Sequence, residues 1–417
     1  MKKIHSNTYF FVLDALRSDH VKYMPWLSSQ LDNGIYIKNL KISSGFCERS
    51  EIFFSKPPSE TNFVNAITLD IYNNSKKRPF FWLKEWMLYL IYYFEKNIFF
   101  QKIIRYLLWK LTSRLSEISM YPQRIPLNLL NKVTLTEDAI DFEEYSKSIK
   151  SGLLYHYISQ GYCINWDYFT SLSKPTFGTD FSRLENLKNN LHKYTNSFIP
   201  IYISAPDVAG HQFGPHSKEL IKSLENIDNE IKLFFDLCIN FDKNSTICFI
   251  GDHGMESVKS GIDVDKIIKS ISNELKIKPN KDFYYFLDST MLRIWWNSKN
   301  QKKLADFSYK LSNNLVLKQN GYFGDEINIY EEGLPRIEEI ADFVWWAKKG
   351  IQISPDFFHG KEKLKAGMHG YLKKDKISSG FFLLISNDIL PKSYKSLDVS
   401  NLIDFYKSTK KSDVKIL

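Results

Sequence analysis

Cysteine is scarce in this sequence, and long apolar runs are absent. The four cysteines are Cys47, Cys163, Cys238 and Cys248. They form no CxxC pair, so we expect a reduced, cytoplasmic compartment rather than a disulfide framework. The longest uncharged apolar run, 86–94, has nine residues and is too short to span a bilayer as a helix. The N-terminal apolar run is interrupted by Asp14 and lacks a small-residue cleavage site, so we expect no signal peptide.

Repeats and low-complexity tracts are also missing, and the composition is that of a folded protein. Apolar residues make up 43% of the 417 residues and charged residues 25%. These values exclude disorder over most of the chain. The length predicts either one large domain with an insertion or two domains.

Positive charge is concentrated in one segment. The net charge is +9, and the window 76–114 holds nine basic and two acidic residues, a local charge of +7. No base-stacking or groove-reading motif accompanies this charge, so we expect no nucleic-acid polymer as a partner. The remainder of the chain is close to neutral.

Short apolar runs alternate with helical patterns. Four runs predict buried strands, at 8–13, 198–204, 246–250 and 381–386. The segment 217–241 carries apolar residues at helical spacing. This alternation predicts an α/β fold, with a central, mostly parallel sheet covered by helices on both faces. The segment 298–359 is mixed, and its pattern predicts no clear elements.

Polar side chains follow three of the predicted strands. Asp14, Asp207 and Asp252 each come just after an apolar run. Ligands of parallel sheets gather outside the carboxyl ends of the strands, so we expect the three carboxylates at one edge. His211, His253 and a late His369 complete the set. Three Asp and three His would supply two three-ligand sites for Zn²⁺ or a similar divalent ion.

Four motifs follow one another along the chain: Asp14 after a strand, DxxGHxxGP at 207–215, DHGM at 252–255 and HGY at 369–371. Their order resembles that of the alkaline phosphatase superfamily, most closely its type I phosphodiesterase/nucleotide pyrophosphatase branch. The resemblance implies an alkaline phosphatase-like core in 1–72 and 145–417, with a helical basic-aromatic insertion at 73–144. It also implies two zinc sites, one held by Asp207, His211 and His369, the other by Asp14, Asp252, His253 and the nucleophile.

The nucleophile position departs from the family pattern, which has Thr, Ser or a modified Cys there. The loop reads SSGFCERSEIFFS from 43 to 55, and Cys47 falls at the matching place. Ser50 is the alternative nucleophile and a phosphate-contacting candidate, and Ser44 is a further alternative. Modification of a sulfatase-type Cys needs Pro two residues on and Arg four on. Arg49 and Glu51 stand there, so we expect none.

The resemblance implies a metal-dependent phosphoester hydrolase or phosphotransferase, acting by in-line displacement through a metal-bound nucleophile. Hydrolysis and transfer share every step until the last acceptor, and the sequence does not separate them. Two other functions are open: a sulfuric ester hydrolase, and an inactive membrane-surface scaffold that kept the fold. Homo-oligomerisation is also left open.

The segment 79–111 has no internal Pro or Gly, and its charged residues fall on about half of a helical wheel. This pattern predicts an amphipathic helix with a basic face. Such a helix would lie on anionic lipid at the inner membrane face, near a glycan- or lipid-linked substrate. The alternative is a helix that packs on the enzyme core or on a second subunit.

Overall fold

The computed structural model describes residues 6–70, 125–126, 129, 132–137, 140–170, 178–297, 300–359, 364–387 and 389–410. The predicted amphipathic segment 79–111 lies outside these residues, as does most of the predicted insertion. The domain boundaries therefore stay predictions. Within the described part, no helix is both long and apolar enough to cross a membrane.

The strands are numbered here in chain order. They are β1 (Thr8–Leu13), β2 (Ile35–Lys41), β3 (Ile67–Leu69), β4 (Val133–Leu135), β5 (Cys163–Ile164), β6 (Ser197–Ile203), β7 (Thr246–Gly251), β8 (Glu256–Ser257), β9 (Ser260–Ile262), β10 (Phe283–Leu287), β11 (Met291–Trp296), β12 (Gly321–Phe323), β13 (Phe343–Ala347), β14 (Ile351–Ile353), β15 (Gly367–Met368), β16 (Gly380–Ile385) and β17 (Lys392–Asp398).

The α-helices are named by their bounds. They are Pro25–Ser29, Glu48–Phe54, Pro58–Thr61, Phe142–Ile149, Gly152–Ser159, Asp180–Asn190, Ala205–Phe213, Lys218–Phe241, Val264–Leu275, Gln301–Ser312, Leu315–Asn320, Ile329–Glu332, Ile337–Ile340 and Leu402–Lys410. Short 3-10 helices occupy Ser18–Tyr23, Leu31–Asn33, Leu191–Lys193, Gly324–Glu326, Lys373–Asp375 and Val399–Asn401.

The main sheet has seven strands in the order β17-β2-β16-β7-β1-β6-β5. Strands β7, β1, β6 and β5 are mutually parallel, and β16 runs antiparallel to both of its neighbours. All residues of β1, β6 and β7 are buried. Continuous apolar runs are typical of parallel strands that are covered on both faces. The predicted mostly parallel α/β fold is confirmed.

Alternate side chains of β1 enter two different cores. Tyr9, Phe11 and Leu13 pack into one core together with residues of the helix Lys218–Phe241. Phe10 and Val12 pack into the other, against the helices Glu48–Phe54 and Gly152–Ser159. This is the two-residue period of a strand with helices on each face.

A second sheet takes two of its strands, β12 and β13, from the region 298–359, whose sequence pattern predicted no clear elements. Its four strands are ordered β10-β11-β13-β12, and the pairings are antiparallel. Its core includes residues of the helices Val264–Leu275 and Gln301–Ser312. The turn between β10 and β11 carries Asp288 and Ser289, which reach the cavity described next.

Candidate functional site

The parallel register brings the ends of three strands to one level. Leu13 of β1 pairs with Ile203 of β6 and with Gly251 of β7. Asp14 and Asp252 are therefore the first residues beyond adjacent strands. The backbone N–H of Ala15 donates to Asp252 Oδ1 at 3.0 Å, which ties the two strand ends together.

Asp207 and His211 lie one turn apart on the helix Ala205–Phe213, which begins just after β6. His211 Nε2 is 3.2 Å from Asp207 Oδ1, and His369 Nε2 is 3.7 Å from the same oxygen. His211 Nδ1 lies 2.8 Å from the carbonyl oxygen of Gly367. A donated bond to that carbonyl leaves Nε2 as the ligand atom, as is usual for histidines that bind metal.

His253 belongs to the neighbouring strand end. Its Nε2 is 3.1 Å from Asp14 Oδ1 and 3.8 Å from Asp252 Oδ1. Its ring stacks on that of His369 with 4.2 Å between the centroids. The two histidines join the two halves of the cluster. All six predicted metal ligands therefore lie together.

Three overlapping groups of potential ligand atoms occur here, and within each group the atoms lie within 4.8 Å of one another. The groups are Asp207 with His211 and His369, Asp14 with Asp207 and His253, and Glu48 with His253 and His369. The first group is the predicted first site in full. Asp252 belongs to none of them, and its Oδ1 also accepts from the backbone N–H of His253 at 2.9 Å.

The donor set fits a divalent metal. Asp207 Oδ1 and His369 Nδ1 are buried atoms that form no hydrogen bond in the described part of the chain. Buried polar atoms without a partner are costly, and a cation beside an oxygen and ring nitrogens removes much of that cost. Mixed carboxylate and imidazole donors suit Zn²⁺ and related ions. The metals' number and identity stay predictions.

The acids and histidines perturb each other's protonation. Burial raises the pKa of Asp252 to about 8, although His253 opposes the shift. Burial would also raise the pKa of Asp207, but His211 and His369 outweigh it and hold that pKa below its ordinary value. Burial, assisted by His253, lowers the pKa of His369. A divalent cation favours the deprotonated form of each group.

The cluster forms one wall of a cavity of about 300 Å³. The cavity is lined by Asp14, Phe46, Glu48, Arg49, Ala66, Glu137, Tyr202, Asp207, His211, Asp252, His253, Asp288, Ser289, Phe358, His359, Met368 and His369. Six of these are carboxylates. An anionic substrate would be repelled from such a pocket unless cations balanced the charge.

Cys47 and Ser50 are not among the lining residues. Cys47 is the N-cap of the helix Glu48–Phe54, and it is 4% exposed. Its Sγ lies 3.3 Å from Thr136 Oγ1. The hydroxyl of Ser50 donates to the carbonyl of Cys47 at 2.8 Å. Cys47 as nucleophile, with Ser50 as the alternative, stays a prediction.

Sequence reasoning missed several residues of the cavity. Glu48 and Arg49 were visible as the neighbours of Cys47, but an offset of one position decides which side chain faces inward. Tyr202, whose hydroxyl donates to Asp14 Oδ2, is hidden inside an apolar strand. His359, whose Nδ1 lies 2.9 Å from Asp356 Oδ2, also lines the cavity.

Comparison with known proteins identifies the family. The sequence model of the type I phosphodiesterase / nucleotide pyrophosphatase family matches residues 120–372. The chain belongs to this family. Ectonucleotide pyrophosphatase/phosphodiesterase family member 1 of Rattus norvegicus is 34% identical over 80 residues, which are 18% of this chain and 9% of that protein. Venom phosphodiesterase 2 of Crotalus adamanteus is 26% identical over 225 residues, 49% of this chain and 25% of that protein.

Solved structures agree on the fold. Murine ectonucleotide pyrophosphatase / phosphodiesterase 5, as an inactive variant in complex with AMP, superposes with a TM-score of 0.62 at 14% identity. The match covers 97% of this chain and 95% of that one. By contrast, this chain spans about a tenth to a quarter of the length of the curated relatives named above.

Proposed function

We propose that this protein is a metal-dependent phosphoester hydrolase of the phosphodiesterase or nucleotide pyrophosphatase type. The same site would serve phosphoryl transfer if an acceptor other than water takes the group. The observation that carries the proposal is the side-by-side arrangement of Asp207, His211 and His369 with Asp14 and His253 in one cavity. Family membership supports the reaction class.

The family resemblance implies the roles of these residues, and the grouping of Asp207, His211 and His369 supports the first site. Asp207, His211 and His369 would hold one zinc ion, and Asp14, Asp252 and His253 would hold a second. Metal ions held by these residues would supply positive charge that offsets the negative charge of a phosphoryl group during its displacement.

The protein's own groups prepare this arrangement. The carbonyl of Gly367 orients His211, and the hydroxyl of Tyr202 orients Asp14. Arg49 lines the cavity, and its guanidinium lies over the ring of Tyr202 at 4.8 Å from the centroid. A guanidinium held in this way can donate to the non-bridging oxygens of a phosphoryl group. We assign substrate anchoring to it.

The attacking group is a separate question. Cys47 and Ser50 are the candidates from the sequence, and water is the third. A buried thiol beside Thr136 would have to rotate into the cavity before it could attack phosphorus. A substrate assay would identify the acceptor of the phosphoryl group, and this acceptor distinguishes hydrolysis from transfer.

The substrate and location are proposals too. A nucleotide diester is the first substrate to try, because the murine relative was solved with AMP. A glycan- or lipid-linked phosphoester is the alternative that the basic segment 79–111 favours.

We propose a cytoplasmic location with peripheral membrane contact through that segment. Replacing Lys96, Lys102 and Arg105 with Glu should then abolish salt-sensitive binding to anionic vesicles, and unchanged binding would contradict this.

A matched pair of chromogenic esters tests the reaction class. Bis-p-nitrophenyl phosphate and p-nitrophenyl sulfate release the same chromophore, so one assay compares them with added zinc. We expect cleavage of the phosphodiester and negligible cleavage of the sulfate, because the residues that direct Cys modification are replaced here by Arg49 and Glu51. Faster sulfate cleavage would make the protein a sulfuric ester hydrolase. A zinc-loaded protein that cleaves neither ester would favour the inactive scaffold.

A further inference from the structure

Glu48 lies beside the cluster of predicted metal ligands. It is the first residue of the helix Glu48–Phe54, and it lines the same cavity as the six predicted ligands. One of its carboxylate oxygens lies within 4.8 Å of a ring nitrogen of His253 and of His369. Donor atoms this close to one another could hold a common ion.

The start of the helix is held in place by hydrogen bonds behind Glu48. The backbone N–H of Ser50 donates to Glu137 Oε2 at 2.8 Å. Glu51 points away from the cavity and accepts from both the N–H and the hydroxyl of Ser43, at 2.9 and 3.0 Å. Such anchoring holds the start of the helix, and with it the backbone of Glu48, beside the cavity, as a ligand residue requires.

The charge around Glu48 also points to a cation. Asp14, Asp207 and Asp252 already crowd this end of the cavity. A fourth carboxylate among three acids is destabilising by like-charge repulsion unless a positive ion lies between them. Asp207 Oδ1 and His369 Nδ1 are buried without a hydrogen bond in the described part of the chain, and both residues line this cavity.

We propose that Glu48 is a further metal ligand, which acts in the half of the cluster that contains His253. It then takes the position at which the family resemblance puts the nucleophile's side chain, one residue after Cys47. The assignment rests on the proposed function only in requiring that the cluster binds divalent metal. It concerns binding and makes no claim about the attacking group.

Metal titration of a matched pair of variants tests this assignment. Glu48→Gln keeps the shape of the side chain and removes its charge. Glu219→Gln makes the same change at an exposed position of the helix Lys218–Phe241. Zinc affinity would be measured on metal-stripped protein by competition with a chromophoric chelator, and stoichiometry by elemental analysis.

We expect wild type and Glu219→Gln to bind two ions. Glu48→Gln should bind one with near-normal affinity and the second at least ~10-fold more weakly, because losing even a supporting partner of a ligand costs that much. Cobalt(II) spectra supply a readout that is independent of affinity. The d–d bands of the two-cobalt protein should change in Glu48→Gln and not in Glu219→Gln.

The assignment is overturned if Glu48→Gln binds both ions with wild-type affinity and gives a wild-type cobalt spectrum. Thermal unfolding of the metal-stripped variants checks that each is folded before titration. The outcome is separable from the proposed function. Two ions bound in wild type, a weakened second site in Glu48→Gln and no cleavage of any phosphoester would support the ligand and contradict the hydrolase.

Discussion

The two halves of the cluster of predicted metal ligands come from different kinds of structural element. In one half, Asp207 and His211 share a helical turn, and His369 arrives from a loop after β15. In the other half, Asp14 and Asp252 are the first residues beyond adjacent parallel strands, with His253 next to Asp252. The first half has one acid and two histidines. The second has two acids and one histidine, and Glu48 faces it.

The difference between the two halves shows which side-chain positions can be predicted from the sequence. A position directly after a strand is fixed by sheet register, and a spacing of four on a helix is fixed by helix geometry. The relative positions of Asp14, Asp252, Asp207 and His211 could therefore be predicted, whereas His369 lies in a loop that neither rule covers. The loop from β2 to the helix Glu48–Phe54 has no regular geometry of this kind. A shift of one residue in the alignment therefore decides whether Cys47 or Glu48 is expected to face the cluster.

Removing a ligand from either half is expected to have the largest effect. Asp252→Asn and His369→Ala should each reduce phosphodiester turnover by more than ~100-fold, beyond the usual cost of losing a supporting partner. Each should also lower metal occupancy from two ions towards one. Turnover and elemental analysis of the two variants are the measurements. A half whose loss leaves turnover near wild type would not belong to the active site.

The loop between β2 and its helix gives the next prediction, a ranking. We expect Glu48→Gln to lose more turnover than Cys47→Ala, because the carboxylate lines the cavity and the thiol does not. The rates of both variants on bis-p-nitrophenyl phosphate decide it. The reverse ranking, with Cys47→Ser partly active, would restore the thiol as nucleophile. A dead Ser50→Ala beside an active Cys47→Ala would instead select Ser50.

Loss of the hydroxyl that supports Asp14 should have a smaller effect, which is confined to the second half of the cluster. Tyr202→Phe removes the hydroxyl that donates to Asp14 Oδ2 and leaves the ring in place. We expect metal affinity or turnover to fall about 10-fold, the lower end for a supporting partner. Tyr168→Phe is the control, because its hydroxyl bonds to Tyr194 Oη instead. Equal losses in both variants would mean that the effect comes from stability.

A histidine outside the cluster should affect stability and not turnover. Burial, with a contribution from Arg17, lowers the pKa of His20 to about 4. At pH values between the ordinary pKa of histidine and this lowered pKa, the unfolded chain binds a proton that the folded chain does not. The free energy of unfolding therefore decreases as the pH is lowered through this range. The loss would approach about 3 kcal/mol at full protonation. His20→Phe should flatten this part of the stability profile, measured by denaturant unfolding from pH ~7 to pH ~5. An unchanged slope in His20→Phe would contradict the assignment.

Helices and strands could be predicted from the sequence where the apolar residues repeat with the period of one type of element. Strand β1 was predicted at its observed bounds, and the helix Lys218–Phe241 follows Ser217, whose hydroxyl accepts from the N–H of Leu220. The second sheet was missed because its strands are short and interleaved with turns. Its pairings of β13 with β11 and with β12 also join residues far apart in the chain, which local periodicity does not report.

Within the site, the structure brings together the six residues that were predicted as metal ligands, and their role as ligands stays a prediction. Arg49, Tyr202 and His359 were not predicted there, because their approach to the cavity depends on tertiary packing. Tyr202 stands in a fully buried strand, where an aromatic residue is expected for packing alone. Only the close pairing of β6 with β1 reveals that its hydroxyl reaches Asp14.

The most direct test of the account is metal-dependent turnover in one preparation. The protein would be stripped with a chelator, checked by elemental analysis, assayed on bis-p-nitrophenyl phosphate, and assayed again as zinc is returned. The account predicts that turnover disappears with the metal and returns as the ratio approaches two ions per chain. Full activity in protein shown to hold no metal would contradict it.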